Sequence, residues 1–277
     1  MLNQYLAEEV DVTFFLAEKT RNSGTQCLMW LLELLYRAVQ STVEEIRFRL
    51  YYGPIFHRFL NHKYVYYRKL PRKLKIPFLK LVRDHYEYFE FVERDVKVTR
   101  AMKAIICCAA SQLVMNLPSE SLTFFTRIIV YGDYYNSRIT HKRHKGEVNP
   151  GFKLIVFSWR GIQEGLNRDD DGLNLLLHEF AHALWLEHKL KRHEYTVLNP
   201  SLVNQFEAMA HEEMTHLQAN KNHFFRKYAF ENIEEFFAVA VENFFERPQQ
   251  FSHELPHFYQ VLTSMLYQNP LQYHTAA

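Results

Sequence analysis

Apolar side chains recur at helical spacing along most of this chain. Residues 4–20 and 26–51 each carry the pattern, and Asn22-Ser23-Gly24 interrupts it, so two helices are predicted there. Residues 54–70 are aromatic and basic, and Pro71 and Pro77 punctuate the stretch after them. Residues 77–92 read as a helix. In 99–116, Met102, Ile105, Ile106, Ala109, Leu113 and Val114 repeat at helical spacing behind Thr99, a capping residue, which predicts a buried helix. Two β-branched or aromatic runs then break the helical period. Ile128-Ile129-Val130-Tyr131 and Leu154-Ile155-Val156-Phe157 read as strands, with Asn136–Glu147 between them as a loop or hairpin arm. Past Trp159 the helical pattern returns at 173–188, 201–219, 232–246 and 256–267. Strands confined to one section among many helices predict a helix-rich α+β fold rather than alternating α/β.

Composition narrows the function. The chain has 277 residues, with 8 Gly against 15 His. That is less than half of the average glycine usage of about 7%. No Gly-x-Gly-x-x-Gly or Gly-x-x-x-x-Gly-Lys run exists, which excludes the usual dinucleotide and P-loop readings. Cys27, Cys107 and Cys108 show no bridging or Cys-x-x-Cys spacing and read as reduced, which favours a cytoplasmic protein. The acidic N-terminus lacks the features of a signal peptide. The apolar stretch from Cys27 to Tyr36 is too short to span a bilayer and contains Glu33, so no transmembrane segment is expected.

The net charge of +2 hides an asymmetry. From Arg47 to Arg83 inclusive there are eleven Lys or Arg and no Asp or Glu, leaving the rest of the chain about −9 by subtraction. Aromatics from Phe48 to Phe78 are interleaved with these cations. The simplest reading is a set of amphipathic helices with buried rings and solvated Lys and Arg, so no nucleic-acid partner is expected. The alternative is a contact surface for a repressor, nucleic acid or an anionic membrane.

The chemistry concentrates in His178-Glu179-Phe180-Ala181-His182, set within an apolar helical pattern behind Asp169, Asp170 and Asp171. The acidic run favours a helix N-terminus. Histidines at i and i+4 share one face, so both imidazoles can reach one zinc ion. Glu179 is offset by one position. It misses the metal and can serve as general base toward a water beside it. A catalytic zinc usually takes a third protein ligand. Glu235, in the first turn of a helix starting at Asn232, is one candidate, and Glu242, two turns on along the same face, is a rival. Asn232 and Glu235 could also form only a capping box.

These residues resemble the zinc peptidase family of Mlc titration factor A over roughly residues 64–272. The motifs in order are Tyr66-Tyr67…Leu70-Pro71, Ala109…Leu113, Ile129-Val130-Tyr131, Val156-Phe157-Ser158-Trp159 and Gly172-x-Asn174-x-x-x-His178-Glu179-x-x-His182. They continue with Tyr228-Ala229, Glu235-x-Phe237-Ala238-Val239, Phe244-Phe245-x-x-Pro248 and Asn269-Pro270-Leu271. The family is similar in active-site arrangement to the anthrax lethal factor catalytic domain, where a Tyr precedes the ligand Glu by seven residues, as Tyr228 precedes Glu235.

The resemblance implies a zincin-like fold with a small sheet beside the His178–His182 helix. It implies one Zn²⁺ per chain on His178, His182 and Glu235, with Glu179 and Tyr228 catalytic. It implies an edge strand that pairs with the substrate backbone, for which Val156, Phe157, Ser158 and Trp159 are the candidates. The activity implied is aminopeptidase-like cleavage of short peptides, and a transcription repressor is an implied partner. The alternative function is a regulatory binding protein whose zinc site is mainly structural. The chain departs from relatives at Ala183-Leu184-Trp185, where Trp185 could reshape the pocket, and at Ile233. Residues 1–62 are expected to form a helical extension without a match, ahead of a peptidase domain over 63–277.

Overall fold

The structure, a computed structural model, describes residues 23–48, 50, 53–136, 143–168, 170–191, 194–216 and 223–274. The helix expected at 4–20 lies outside the described residues. The chain divides into two compact units, Met1–Pro54 and Ile55–Ala277. In the first, α1 (Ser23–Arg47) exposes Leu28, Leu32, Leu35, Val39 and Ile46. Among the described residues no helix is long and apolar enough to cross a membrane.

The basic, aromatic segment folds into α2 (Gly53–Lys63), α3 (Val65–Lys69) and α4 (Arg72–Tyr88). Phe56, Leu60, Tyr64, Tyr67, Leu70 and Phe78 are buried, while Arg58, Lys63, Arg68, Arg72 and Lys73 are exposed. The rings are therefore core and these cations are solvated. The helix expected at 77–92 begins earlier and ends at Tyr88, with Pro77 inside it. The chain then enters a strand, β1 (Glu90–Arg94), whose five residues are too few to show a clear alternation.

Next come α5 (Arg100–Val114), β2 (Arg127–Tyr131), the short hairpin strands β3 (Tyr135–Asn136) and β4 (Arg143–His144), and β5 (Gly146–Asn149). Thr99 caps α5 by accepting from the Met102 amide at 3.2 Å. β6 (Leu154–Ser158) leads straight into α6 (Trp159–Leu166), which Ser158 caps. The main sheet has the order β1-β2-β6-β5. β1, β2 and β6 run parallel, and β5 pairs antiparallel to β6.

This order corrects the expected substrate strand. Val156 faces Ile129 of β2 on one side and Glu147 of β5 on the other, and Phe157 faces Val130 and Gly146. Ser158 is also paired to β2, and its amide donates to Lys145 O at 2.7 Å. Trp159 begins a helix. None of the four offers a free strand edge; the outer strand beside β6 is β5, and β1 forms the opposite edge of the sheet. Adjacency in sequence to the His178–His182 helix does not reveal which strand a sheet leaves outermost.

α7 (Leu175–Lys191) is buried on nearly every side, as expected of a central helix with apolar residues all round. Phe180 packs against Phe157 of β6 and against Phe89, with centroids 5.5 and 6.2 Å apart. α7 is capped not by the Asp run but by Asn174, whose Oδ1 accepts from the Leu177 amide at 3.1 Å. Asp171 instead accepts from Leu173 N, and Asp169 lies outside the described residues.

The rest is α8 (Pro200–His216), a 3₁₀ turn (Lys227–Phe230), α9 (Ile233–Glu246), α10 (Pro248–Glu254), α11 (Pro256–Leu266) and α12 (Leu271–His274). Phe206, Phe236, Phe237 and Phe258 form an aromatic core between them. Trp185 belongs to that core, fully buried 4.7 Å from Phe237.

Candidate metal centre

One turn of α7 separates His178 from His182, which brings their Nε2 atoms to 3.1 Å from each other. α9 packs against α7 and delivers Glu235 from its first turn. Asn232 caps α9 by accepting from the Glu235 amide at 2.8 Å, so the cap is real. The Glu235 carboxylate does not complete a capping box; it turns toward the imidazoles. Its Oε2 lies 3.1 Å from His178 Nε2 and 3.4 Å from His182 Nε2. That oxygen is sealed from solvent and makes no hydrogen bond. Burial alone would raise the carboxyl's pKa, but the two imidazoles outweigh it and hold Glu235 well below the ordinary range.

The ligand atoms of His178, His182 and Glu235 lie within 4.8 Å of one another, and this is the one such group among the described residues. A buried carboxylate oxygen without a hydrogen bond, facing two ring nitrogens, gathers three metal-ligand atoms at one point. Two imidazoles and one carboxylate suit a divalent metal, so the residues present fit one.

Glu242 stands behind the cluster rather than in it. Its carboxylate, 1% exposed, accepts from His178 Nδ1 at 2.7 Å, on the ring edge away from Glu235. Arg226 donates to it at 2.6 and 3.2 Å, and the Asn174 amide at 2.7 Å. Burial pushes its pKa up, yet His178 and Arg226 prevail and keep it low. One turn further, Glu246 accepts from the Gly172 and Leu173 amides and from Asn174 Nδ2. These bonds bind the start of α7 to α9. Gly172 is required here: its φ is +71°, and a Cβ would stand 2.5 Å from Asn243 Oδ1.

Glu179 is 6% exposed and sits at the wall of the cleft. Burial raises its pKa, and the neighbouring imidazoles only partly offset this. A raised carboxyl pKa suits a group that must take and return a proton. Tyr228, on the 3₁₀ turn, donates its hydroxyl to Glu235 Oε1 at 2.9 Å and keeps its ring 5.9 Å from His178. It is 42% exposed, so the phenol faces the cleft. Burial and Glu235 together push its pKa up, so the hydroxyl keeps its proton at neutral pH.

The cleft, about 530 Å³, is lined by His178, Glu179, Tyr228, Gly146, Asn174 and Arg226 among others. His178, Glu179, His182, Tyr228 and Glu235 thus come together. Val156, Phe157, Ser158 and Trp159 do not line the cleft. Sequence reasoning missed Arg226 and Gly146. Arg226 had one local signal, a cation two residues before Tyr228, but its partner lies sixteen residues on.

A family model described as glucose-regulated metallo-peptidase M90 matches residues 48–268. An uncharacterized protein of Synechocystis sp. is 28% identical over 196 residues, 64% of this chain and 70% of that protein. Mlc titration factor A of Escherichia coli O7:K1 is 27% identical over 179 residues, 57% of this chain and 65% of its own length. Mlc titration factor A of Shigella flexneri is 26% identical over the same span and shares.

Proposed function

The chain belongs to the glucose-regulated metallo-peptidase M90 family, and from that premise we propose that it is a zinc-dependent peptidase, aminopeptidase-like on short peptides. The observation that carries the proposal is the convergence of His178, His182 and the orphaned Glu235 Oε2 beside a buried Glu179. His178, His182 and Glu235 would hold one zinc ion per chain. Bound there, the ion supplies Lewis acidity, which acidifies a water and polarises a carbonyl.

The protein's own groups supply the rest. Glu179 accepts the proton of the attacking water and returns it to the leaving amine, so the proton count closes. Tyr228 turns its hydroxyl from Glu235 toward the carbonyl oxygen as that oxygen gains negative charge. The outer edge of β5, not β6, receives the substrate backbone. A zincin-like domain over 63–277, extended by residues 1–62, and a cytoplasmic site of action complete this reading.

The name of the Escherichia coli relative favours a second reading, in which the chain binds a regulator such as a transcription repressor. Metal analysis paired with cleavage of a panel of short peptides separates the two. Zinc is expected at one ion per chain, lost in Glu235→Ala. Glu179→Gln is expected to keep the zinc and lose at least ~10²-fold in turnover. A Glu179→Gln variant that cleaves at the wild-type rate overturns Glu179 as the base, and zinc-loaded wild type that cleaves no peptide of the panel overturns the peptidase reading.

A further inference from the structure

We propose that Arg226 and Glu242 are positioning residues that lock the His178 ring for metal binding and tie the turn carrying Tyr228 to the same point. The inference rests on His178 being a metal ligand. Glu242 Oε1 takes the proton side of His178 Nδ1 at 2.7 Å, which leaves the lone pair on Nε2, the nitrogen that faces His182 and Glu235. Each Glu242 oxygen has two donors: His178 and Arg226 Nη2 on Oε1, and Asn174 N and Arg226 Nη1 on Oε2. With both oxygens engaged, Glu242 has no capacity left to act as a ligand itself.

Arg226 does more than neutralise this carboxylate. Its Nη1 also donates to Gly172 O at 2.7 Å. One guanidinium therefore joins three segments: the approach to α7 at Gly172, α9 through Glu242, and the turn that presents Tyr228 two residues later. A buried ion pair by itself is weak evidence for stability, because desolvation offsets the attraction. Here the planar fork of arginine fixes geometry, a role lysine fills poorly.

The test uses full-length protein and metal readouts. Zn²⁺ affinity is measured by competition with a chromogenic chelator, and the ligand field by the visible absorption of the Co²⁺-substituted protein. Thermal unfolding of the metal-free forms serves as control. Glu242→Gln keeps an acceptor for Nδ1 and is expected to weaken Zn²⁺ binding by roughly 10–100-fold and shift the Co²⁺ bands. Arg226→Lys is expected to fall between wild type and Arg226→Met. The Arg226→Met/Glu242→Gln double variant removes both charges, so no lone buried charge is left to unfold the protein. Metal-free Glu242→Gln and the double variant are expected to unfold at a lower temperature than wild type, because the charge pairing of the His178 ring with Glu242 is lost, but to stay folded at the temperature of the metal titration. Unchanged Zn²⁺ affinity and Co²⁺ bands in both overturn the proposal. So does a loss of affinity seen only where the metal-free variant is unfolded at that temperature. Wild-type Zn²⁺ binding that survives His178→Ala would instead overturn the ligand set, and this proposal with it.

Discussion

Gly146 of β5 and Glu179 of α7 are in such close approach that a Cβ on Gly146 would stand 2.5 Å from Glu179 Oε1. The outer strand and the proposed general base thus define each other's position, and the absence of a side chain at 146 is what admits the carboxylate. Gly146→Ala is expected to displace Glu179 while leaving His178, His182 and Glu235 in place. Peptide turnover falls by ~10²-fold, the low end of the effect of losing a positioned base, and zinc content stays at the wild-type level. Zinc content and kcat measured on one preparation check this.

Tyr228 donates to Glu235 Oε1 at 2.9 Å, from a residue 42% exposed. Its hydroxyl is proposed to act only once negative charge develops on the substrate. Tyr228→Phe is expected to lower kcat by ~10²–10³-fold, with KM nearly unchanged. A rise in KM at constant kcat would assign Tyr228 to substrate binding alone.

The metal-free site is expected to hold a proton at neutral pH. Burial disfavours a charged His178 ring, but Glu242 and Glu235 outweigh it and raise its pKa to about 10. A ring above its unfolded value of about 6.5 stabilises the metal-free protein fully below that pH. This stabilisation is lost as pH rises through about 10. A metal needs the neutral ring, so metal affinity moves the opposite way and increases with pH. Roughly one proton is expected to leave per metal bound at pH 7.5. Titration calorimetry in buffers of different ionisation enthalpy measures this number; a value near zero would contradict the protonated ring.

Gly172 combines a φ of +71° with neighbours at 2.5 and 3.1 Å, so its replacement meets both strain and collision. Gly172→Ala is expected to cost about 1–3 kcal/mol of stability. It is also expected to weaken metal binding, since Gly172 O receives Arg226 and the residues just after it start α7. Denaturant unfolding with and without zinc tests both effects.

The parts of the site legible in the sequence are those that local spacing dictates. His178 and His182 lie one turn apart on a single helix, so their convergence needs no tertiary information. Glu235 was half visible, because the Asn232 cap and the turn toward the metal cluster share the same first turn of α9. Resemblance, through the spacing of Tyr228, favoured it over Glu242. The order of strands was not legible. β6 looks like a strand wherever it sits, and only pairing across residues 90–94, 127–131 and 146–149 makes it internal. The Arg226–Glu242 pair was hidden for a similar reason: a turn and a helix must be placed before a cation and a carboxylate sixteen residues apart are seen to meet at His178.

The outer strand has only four residues, Gly146–Asn149, and Pro150 comes next. Main-chain groups point outward at alternate positions of a strand, so β5 can grip about two residues of a guest peptide. In the proposed peptidase, such a short ruler makes binding nearly independent of what lies farther along the guest. Lengthening a substrate beyond that grip adds mass without adding hold, which suits a scavenger of small fragments better than a processor of folded proteins.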